Sequence, residues 1–135
     1  MGLDQYGGWL KKPTKQEEVH AKLINDYILE GHEEFQWRKH AKLQKFMADI
    51  WYSRESDGSV LFNMGERLYL NQEDILNLQQ LLLNDDLPES EGGFFFGHEF
   101  QDETAEENKL YDLKFCHDAL EWLSEGKKVF YECSW

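Results

Sequence analysis

The sequence is poor in cysteine and proline, with two of each among 135 residues. Small secreted domains that depend on disulfides carry far more cysteine, and here a disulfide is possible only if the fold brings the two cysteines together. Cys116 lies in a helical pattern and Cys133 in a strand-like tail. We therefore expect two reduced, partly buried thiols.

Long hydrophobic runs are also missing, and an apolar stretch such as Leu81-Leu82-Leu83 spans only three residues. A membrane-spanning helix needs about 20 apolar residues, so no membrane segment is expected. The first residues lack the basic start and the apolar stretch of a secretion signal. These absences predict a cytoplasmic protein.

Basic residues are scarce relative to acidic ones. The chain has 14 Lys and Arg against 27 Asp and Glu, which gives a formal net charge of -13. A surface of this sign repels phosphate backbones and anionic membranes. Direct binding to nucleic acid or to a membrane is therefore not expected.

No recognisable catalytic or cofactor motif is present. The sequence has no phosphate-cradling loop, no dinucleotide fingerprint and no nucleophile elbow. His32 and His40 are eight residues apart rather than one helical turn, and His98-Glu99 and Cys116-His117 are adjacent pairs that tend to point to different faces. We expect no metal and no cofactor, and an enzyme only as an alternative in which His40 or His98 acts as the acid–base group.

Hydrophobic residues nevertheless make up 41% of the chain and aromatic residues 15%, enough for a folded core. The length suits a single domain over residues 1–135. Periodicity predicts helices at 15–30, 34–54 and 72–83, with Asn71 as an N-cap, and a long helix that follows the acidic segment 99–107 and ends at Glu125. Strands are predicted at 2–10, at 92–97, at 129–135 and in a hairpin over 60–70. This order predicts an α+β fold, a small and mostly antiparallel sheet packed against about four helices.

Three polar or charged residues fall on apolar helix faces. Lys39 and His40 project into an apolar arc of the predicted helix 34–54, and Asp112 falls in the apolar arc of the last helix. An unpaired buried charge is strongly unfavourable. Either Lys39 and Asp112 pair with each other or with backbone groups, or they line a pocket with Trp37, His40 and Phe94-Phe95-Phe96. An aromatic pocket of that kind suits a planar or nucleotide-like ligand.

The largest compositional feature is acidic. Ten acids and one base, Lys109, lie between Asp85 and Asp112, whereas residues 11–54 hold nine of the 14 bases. One interpretation is a solvated loop followed by a helix start whose acids complement the helix dipole. The other is a docking surface for a basic partner, such as a nucleic-acid-binding protein.

Several short clusters together resemble a known group of proteins. The chain opens Met1-Gly2-Leu3-Asp4-Gln5-Tyr6, contains Trp37-Arg38-Lys39, Gly92-Gly93-Phe94-Phe95-Phe96-Gly97 and Asp112-Leu113, and ends in Ser134-Trp135. These clusters are similar to a family of small uncharacterised proteins encoded by tailed bacteriophages, including cyanobacterial ones. The resemblance implies action inside an infected host cell. It also makes the following landmark positions candidate site or core residues: Asp4, Tyr6, Trp37, Arg38, Lys39, Phe95, Gly97, Asp112 and Trp135.

The leading hypothesis is a non-catalytic phage accessory protein that binds a host protein with a basic surface through its acidic face. The first alternative is a small-molecule or nucleotide-type ligand binder that uses Asp4, Tyr6, Trp37, Lys39, His40, Phe95 and Asp112. The second is the small enzyme with a histidine acid–base group. Aromatic richness and the terminal Trp135 also make a homodimer possible.

Overall fold

Four strands form one antiparallel sheet in the order β2-β1-β4-β3. The strands are β1 (Asp4–Leu10), β2 (His32–Arg38), β3 (Arg67–Leu70) and β4 (Lys128–Ser134), and the helices are α1 (Ala41–Arg54), α2 (Gln72–Leu83) and α3 (Gln101–Ser124). The computed structural model describes residues 2–11, 32–54, 61–63, 66–90 and 100–135. The predicted α+β class is confirmed. The predicted helix at 15–30 and the predicted strand at 92–97, which contains Phe95, lie outside the described residues.

One face of the sheet carries the hydrophobic core. Side chains alternate along each strand, so Phe35 and Trp37 of β2 and Tyr131 of β4 point to the same side. They pack with residues from all three helices in one cluster, which includes Leu43, Met47, Ile75, Leu78, Phe115 and Ala119. The helices therefore form a layer against this face. No helix in the described part of the chain is long and apolar enough to cross a membrane.

Two glycines allow close approach at the centre of β1. The register between β1 and β2 shifts between Gly7 and Gly8, which marks a β-bulge. A Cβ atom at Gly8 would lie 1.8 Å from the carbonyl oxygen of His32, and one at Gly7 would lie 2.9 Å from the Phe115 ring. A side chain at Gly8 would thus separate the strands, and one at Gly7 would force the Phe115 and Trp37 rings to shift.

The prediction of one helix over 34–54 is wrong in its first part. Residues 32–38 form β2, and the helix begins only at Ala41. Phe35 and Trp37 are buried while their neighbours Gln36 and Arg38 are exposed, which is the period of a strand. Lys39 has a positive φ of 57° and turns the chain between strand and helix. Pairing with β1, which lies far away in the sequence, decides this segment.

The predicted hairpin over 60–70 is also wrong. Residues 61–63 form no strand, and β3 pairs instead with β4. Phe62 is buried, and its carbonyl oxygen accepts hydrogen bonds from the Cys133 thiol and the Trp135 indole. Phe62 is therefore held by the C-terminal residues Cys133 and Trp135 rather than by a strand pairing with β3.

The remaining elements follow their local signals. The Asn71 side chain accepts from the backbone of Asp74, and the Asp74 carboxylate accepts from the backbone of Asn71, so α2 begins with a full capping box. The strand predicted at 129–135 is β4. Helix α3 starts earlier than expected, at Gln101. Its first turn carries Asp102 and Glu103, and acids near a helix N-terminus stabilise the helix through its dipole.

Candidate functional site

Three of the sequence-predicted site residues meet in the core. Trp37 at the end of β2 donates its indole Nε1–H to Asp112 Oδ1 at 2.7 Å. His40, which immediately precedes α1, lies with Nε2 2.7 Å from Asp112 Oδ2. Asp112 projects from the middle of α3 and is 0% exposed, as is His40. One carboxylate therefore ties a strand end, a helix start and a second helix together.

The hydrogen bonds continue from His40 across the core. The Gln5 side chain accepts from the His40 backbone N–H at 2.9 Å and donates to the His40 carbonyl at 3.0 Å. It also donates to the Tyr131 hydroxyl, which donates in turn to Gln44. The Gln44 amide reaches Cys133 Sγ at 3.3 Å. We call this set the buried polar network: Gln5, Trp37, His40, Gln44, Asp112, Tyr131 and Cys133.

Every member of the buried polar network is at most 3% exposed. Hydrogen bonds in such a low-dielectric interior are strong, and a missing partner is costly, so the network fixes the relative positions of β1, β2, β4, α1 and α3. His40 Nδ1 is the exception, since it has no hydrogen-bond partner among the described residues. The network is shielded from any substrate in solution.

The structure separates Lys39 from this group. Lys39 is exposed, and its backbone N–H donates to the carbonyl of Leu3 at 2.8 Å. The predicted ion pair between Lys39 and Asp112 is therefore wrong, because Asp112 uses its two oxygens on Trp37 and His40. Lys39 falls in an apolar arc only if residues 34–54 form a single helix. Because residues 32–38 form a strand, that arc does not exist.

Asp4 and Tyr6 lie on the sheet face opposite Gln5, because they alternate with it along β1. Asp4 is partly exposed and lies 4.0 Å from Arg38 of β2. Tyr6 borders a small cleft of about 300 Å³ at the edge of β2, together with Glu33, Glu34, Phe35, Gln36 and Tyr111. Asp4 and Tyr6 therefore do not join Trp37, His40 and Asp112. Phe95 and His98 lie outside the described residues.

The two cysteines are free and buried. Burial raises the pKa of the Cys116 thiol from 9.0 to about 12, with a further contribution from the charge of Asp112. Burial likewise raises the pKa of Cys133 to about 11 and that of Tyr131 well above its ordinary value. Both cysteines stay protonated at neutral pH, and a thiol in that state is a poor nucleophile.

A cleft of about 450 Å³ lies between the start of α1, the end of α2 and the first half of α3. Its apolar part consists of Leu82, Leu87 and Ala105. Two ion pairs bridge the elements around it: Lys42 to Asp102 at 2.6 Å and Lys109 to Asp85 at 2.8 Å. Glu106 also lines the cleft and has no ion pair within the described part of the chain.

Three exposed acids line this cleft, and four more lie in the same two segments of the chain. The Ser90 backbone N–H donates to the Gln101 side chain, which donates back to the Ser90 carbonyl, so the loop after α2 lies beside the start of α3. We call the exposed carboxylates of these two segments the acidic face: Asp85, Asp86, Glu89, Asp102, Glu103, Glu106 and Glu107. The sequence showed the acids but not the cleft, which depends on three elements that are distant in the chain.

Comparison with known proteins adds no relative. A scan of protein-family models found no match, and searches of curated proteins and of solved structures found none either.

Proposed function

We propose that this protein is a binding protein that docks a positively charged protein partner on the acidic face and its cleft. The observation that carries the proposal is the combination of a concave, partly apolar surface with a rim of exposed carboxylates. Charge complementarity of this kind increases association rates and selects among partners. By the resemblance to phage-encoded proteins, we propose that the partner is a host protein in the cytoplasm of an infected cell.

The charge balance of this surface supports a cationic partner. The two segments of the acidic face carry seven exposed acids, and the two lysines that line the cleft, Lys42 and Lys109, are already paired with carboxylates. Charges within about 10 Å of one another act together at 0.1 M salt. The acidic face therefore attracts basic side chains and repels the phosphates of a nucleic acid.

The cleft offers a place for one basic side chain of the partner. Lysine and arginine bury their aliphatic stems against apolar surface while the charged head stays polar. Leu82, Leu87 and Ala105 supply such a surface, and Glu106 supplies a carboxylate. Asp85 and Asp102 add accessible oxygen atoms, because their side chains are 76% and 75% exposed.

A pull-down from host lysate tests this proposal when the wild-type protein is compared with two charge reversals. Glu106→Lys reverses an acid in the cleft, and Glu73→Lys is the matched control on the exposed first turn of α2. We expect a partner retained at low salt, released at high salt, lost with Glu106→Lys and kept with Glu73→Lys. Absence of any salt-sensitive partner, or equal loss with both variants, contradicts the proposal.

A second candidate function is the binding of a small molecule in the same cleft. Its volume, about 450 Å³, falls within the range of ligand pockets. The described lining residues include no aromatic side chain, and acids outnumber lysines, so an organic cation suits the cleft better than a nucleotide. A ligand raises the melting temperature by mass action, so a thermal-shift comparison of spermidine with ATP distinguishes these ligand classes. Stabilisation by ATP alone would contradict the cleft chemistry.

A further inference from the structure

A group of potential metal ligands lies on the second half of α3, away from the acidic face. His117, Asp118 and Glu121 each offer one ligand atom, and these three atoms lie within 4.8 Å of one another. Eleven positions separate Glu106 from His117. At 1.5 Å per residue that distance is about 16 Å along the helix axis. The group is thus separate from the cleft.

Helical geometry explains why these side chains converge. His117 and Glu121 are four residues apart and therefore lie one above the other on the same helix face. Asp118 lies one position further round the helix, but its Oδ1 is 3.3 Å from His117 Nδ1. Its other oxygen, Oδ2, accepts a hydrogen bond from Lys114 at 2.7 Å. Lys114 thus holds the carboxylate in place while Oδ1 faces the histidine.

The spacing of the ligand atoms is close to that of a coordination sphere. Nitrogen and oxygen ligands bind zinc at about 2.0–2.2 Å, which places two ligand atoms up to about 4 Å apart. The side chains of His117 and Glu121 are exposed, so they can move enough to bring the ligand atoms from within 4.8 Å to within about 4 Å of one another. The one-turn spacing from His117 to Glu121 is a sequence signal for this site that the adjacent pair Cys116-His117 does not contain.

We propose that His117, Asp118 and Glu121 form a binding site for a divalent transition-metal cation such as Zn²⁺, Ni²⁺ or Cu²⁺. Imidazole nitrogen favours these ions, whereas Mg²⁺ and Ca²⁺ prefer sites made of oxygen alone. Three protein ligands leave at least one coordination position open for water or an external ligand. The net charge of -13 also raises the local concentration of cations at the surface.

Calorimetric titration of the full chain with ZnCl₂, NiCl₂, CuCl₂ and MgCl₂ tests the site. Loss of an outer-shell partner alone typically lowers metal affinity about 10–100-fold, so His117→Ala and Glu121→Gln should each lower Zn²⁺ affinity at least about tenfold. Glu73→Gln removes the same charge from an exposed position on α2 and should leave the affinity unchanged. Cu²⁺ should bind more tightly than Zn²⁺, and Mg²⁺ should bind far more weakly.

A second readout locates the metal. Trace Cu²⁺ should broaden the backbone NMR signals of residues 114–121 first, and His117→Ala should abolish that pattern. Broadening centred elsewhere, or equal Zn²⁺ affinity in the wild type and His117→Ala, would overturn the proposal. Both variants replace exposed side chains, so a folded protein is expected in each case.

Discussion

Replacing Asp112 by asparagine or leucine probes the centre of the buried polar network. Asp112 is 0% exposed and accepts hydrogen bonds from Trp37 and His40, both at 2.7 Å. Asparagine keeps the shape but has only one acceptor oxygen. Since the Trp37 indole can only donate, it takes that oxygen, and the new amide then faces His40.

The expected loss of stability follows from the two hydrogen bonds. A bond to a charged group contributes about 1.5–3 kcal/mol and a neutral one about 0.5–1.5 kcal/mol. The Trp37 bond changes from charged to neutral, and the His40 bond survives only with Nε2 as the acceptor, so the free energy of unfolding should fall by at least about 2 kcal/mol. Leucine leaves both donors unpaired at about 1–3 kcal/mol each, so Asp112→Leu should cost about 2–6 kcal/mol.

Urea unfolding followed by tryptophan fluorescence measures these changes, and the Trp37 indole N–H resonance in an NMR spectrum should shift in Asp112→Asn. Asp49→Asn is the control, because Asp49 is exposed and pairs with Lys45 on the surface of α1. A surface change of that kind stays within about 0.5 kcal/mol. If Asp112→Leu were as stable as the wild type, our account of the network would be refuted.

Three further predictions concern backbone geometry, pH and capping. Gly8→Ala should lower the free energy of unfolding far more than Gly126→Ala, because a Cβ at Gly8 would lie 1.8 Å from a backbone oxygen. Gly126 has open space around it, so only its φ of 82° opposes a side chain, at a cost of about 1–2 kcal/mol. Urea unfolding of the two variants measures the difference. The unfolded chain loses the Cys116 and Cys133 protons near pH 9, whereas the folded chain keeps them to about pH 12 and 11. The unfolded state then binds fewer protons, so the free energy of unfolding should fall by about 1.4 kcal/mol per thiol between pH 8 and pH 10. The total fall should be smaller in Cys116→Ala, because only one of the two thiols remains. Asn71→Ala removes one half of the capping box and should cost about 1 kcal/mol in thermal unfolding.

Helix α2 and the two central strands of the sheet could be predicted from local sequence. The Asn71 cap, its partner Asp74 and the apolar spacing of Ile75, Leu78 and Leu82 all lie within twelve residues, so one segment contains the whole signal. Strands β1 and β4 and most of α3 were predictable for the same reason. The acids of the acidic face were visible because charge is a property of the residues themselves.

Only the tertiary structure decided the secondary structure and the contacts of the residues that form the candidate sites. Phe35 and Trp37 fit either a helix face or a strand face, and pairing with β1 chose the strand. As a result, Lys39 is exposed, and Asp112 is hydrogen-bonded to Trp37 and His40. The cleft likewise requires three elements to meet. Such contacts join residues far apart in the chain, and their free energy depends on packing and on long-range hydrogen bonds that no local pattern contains.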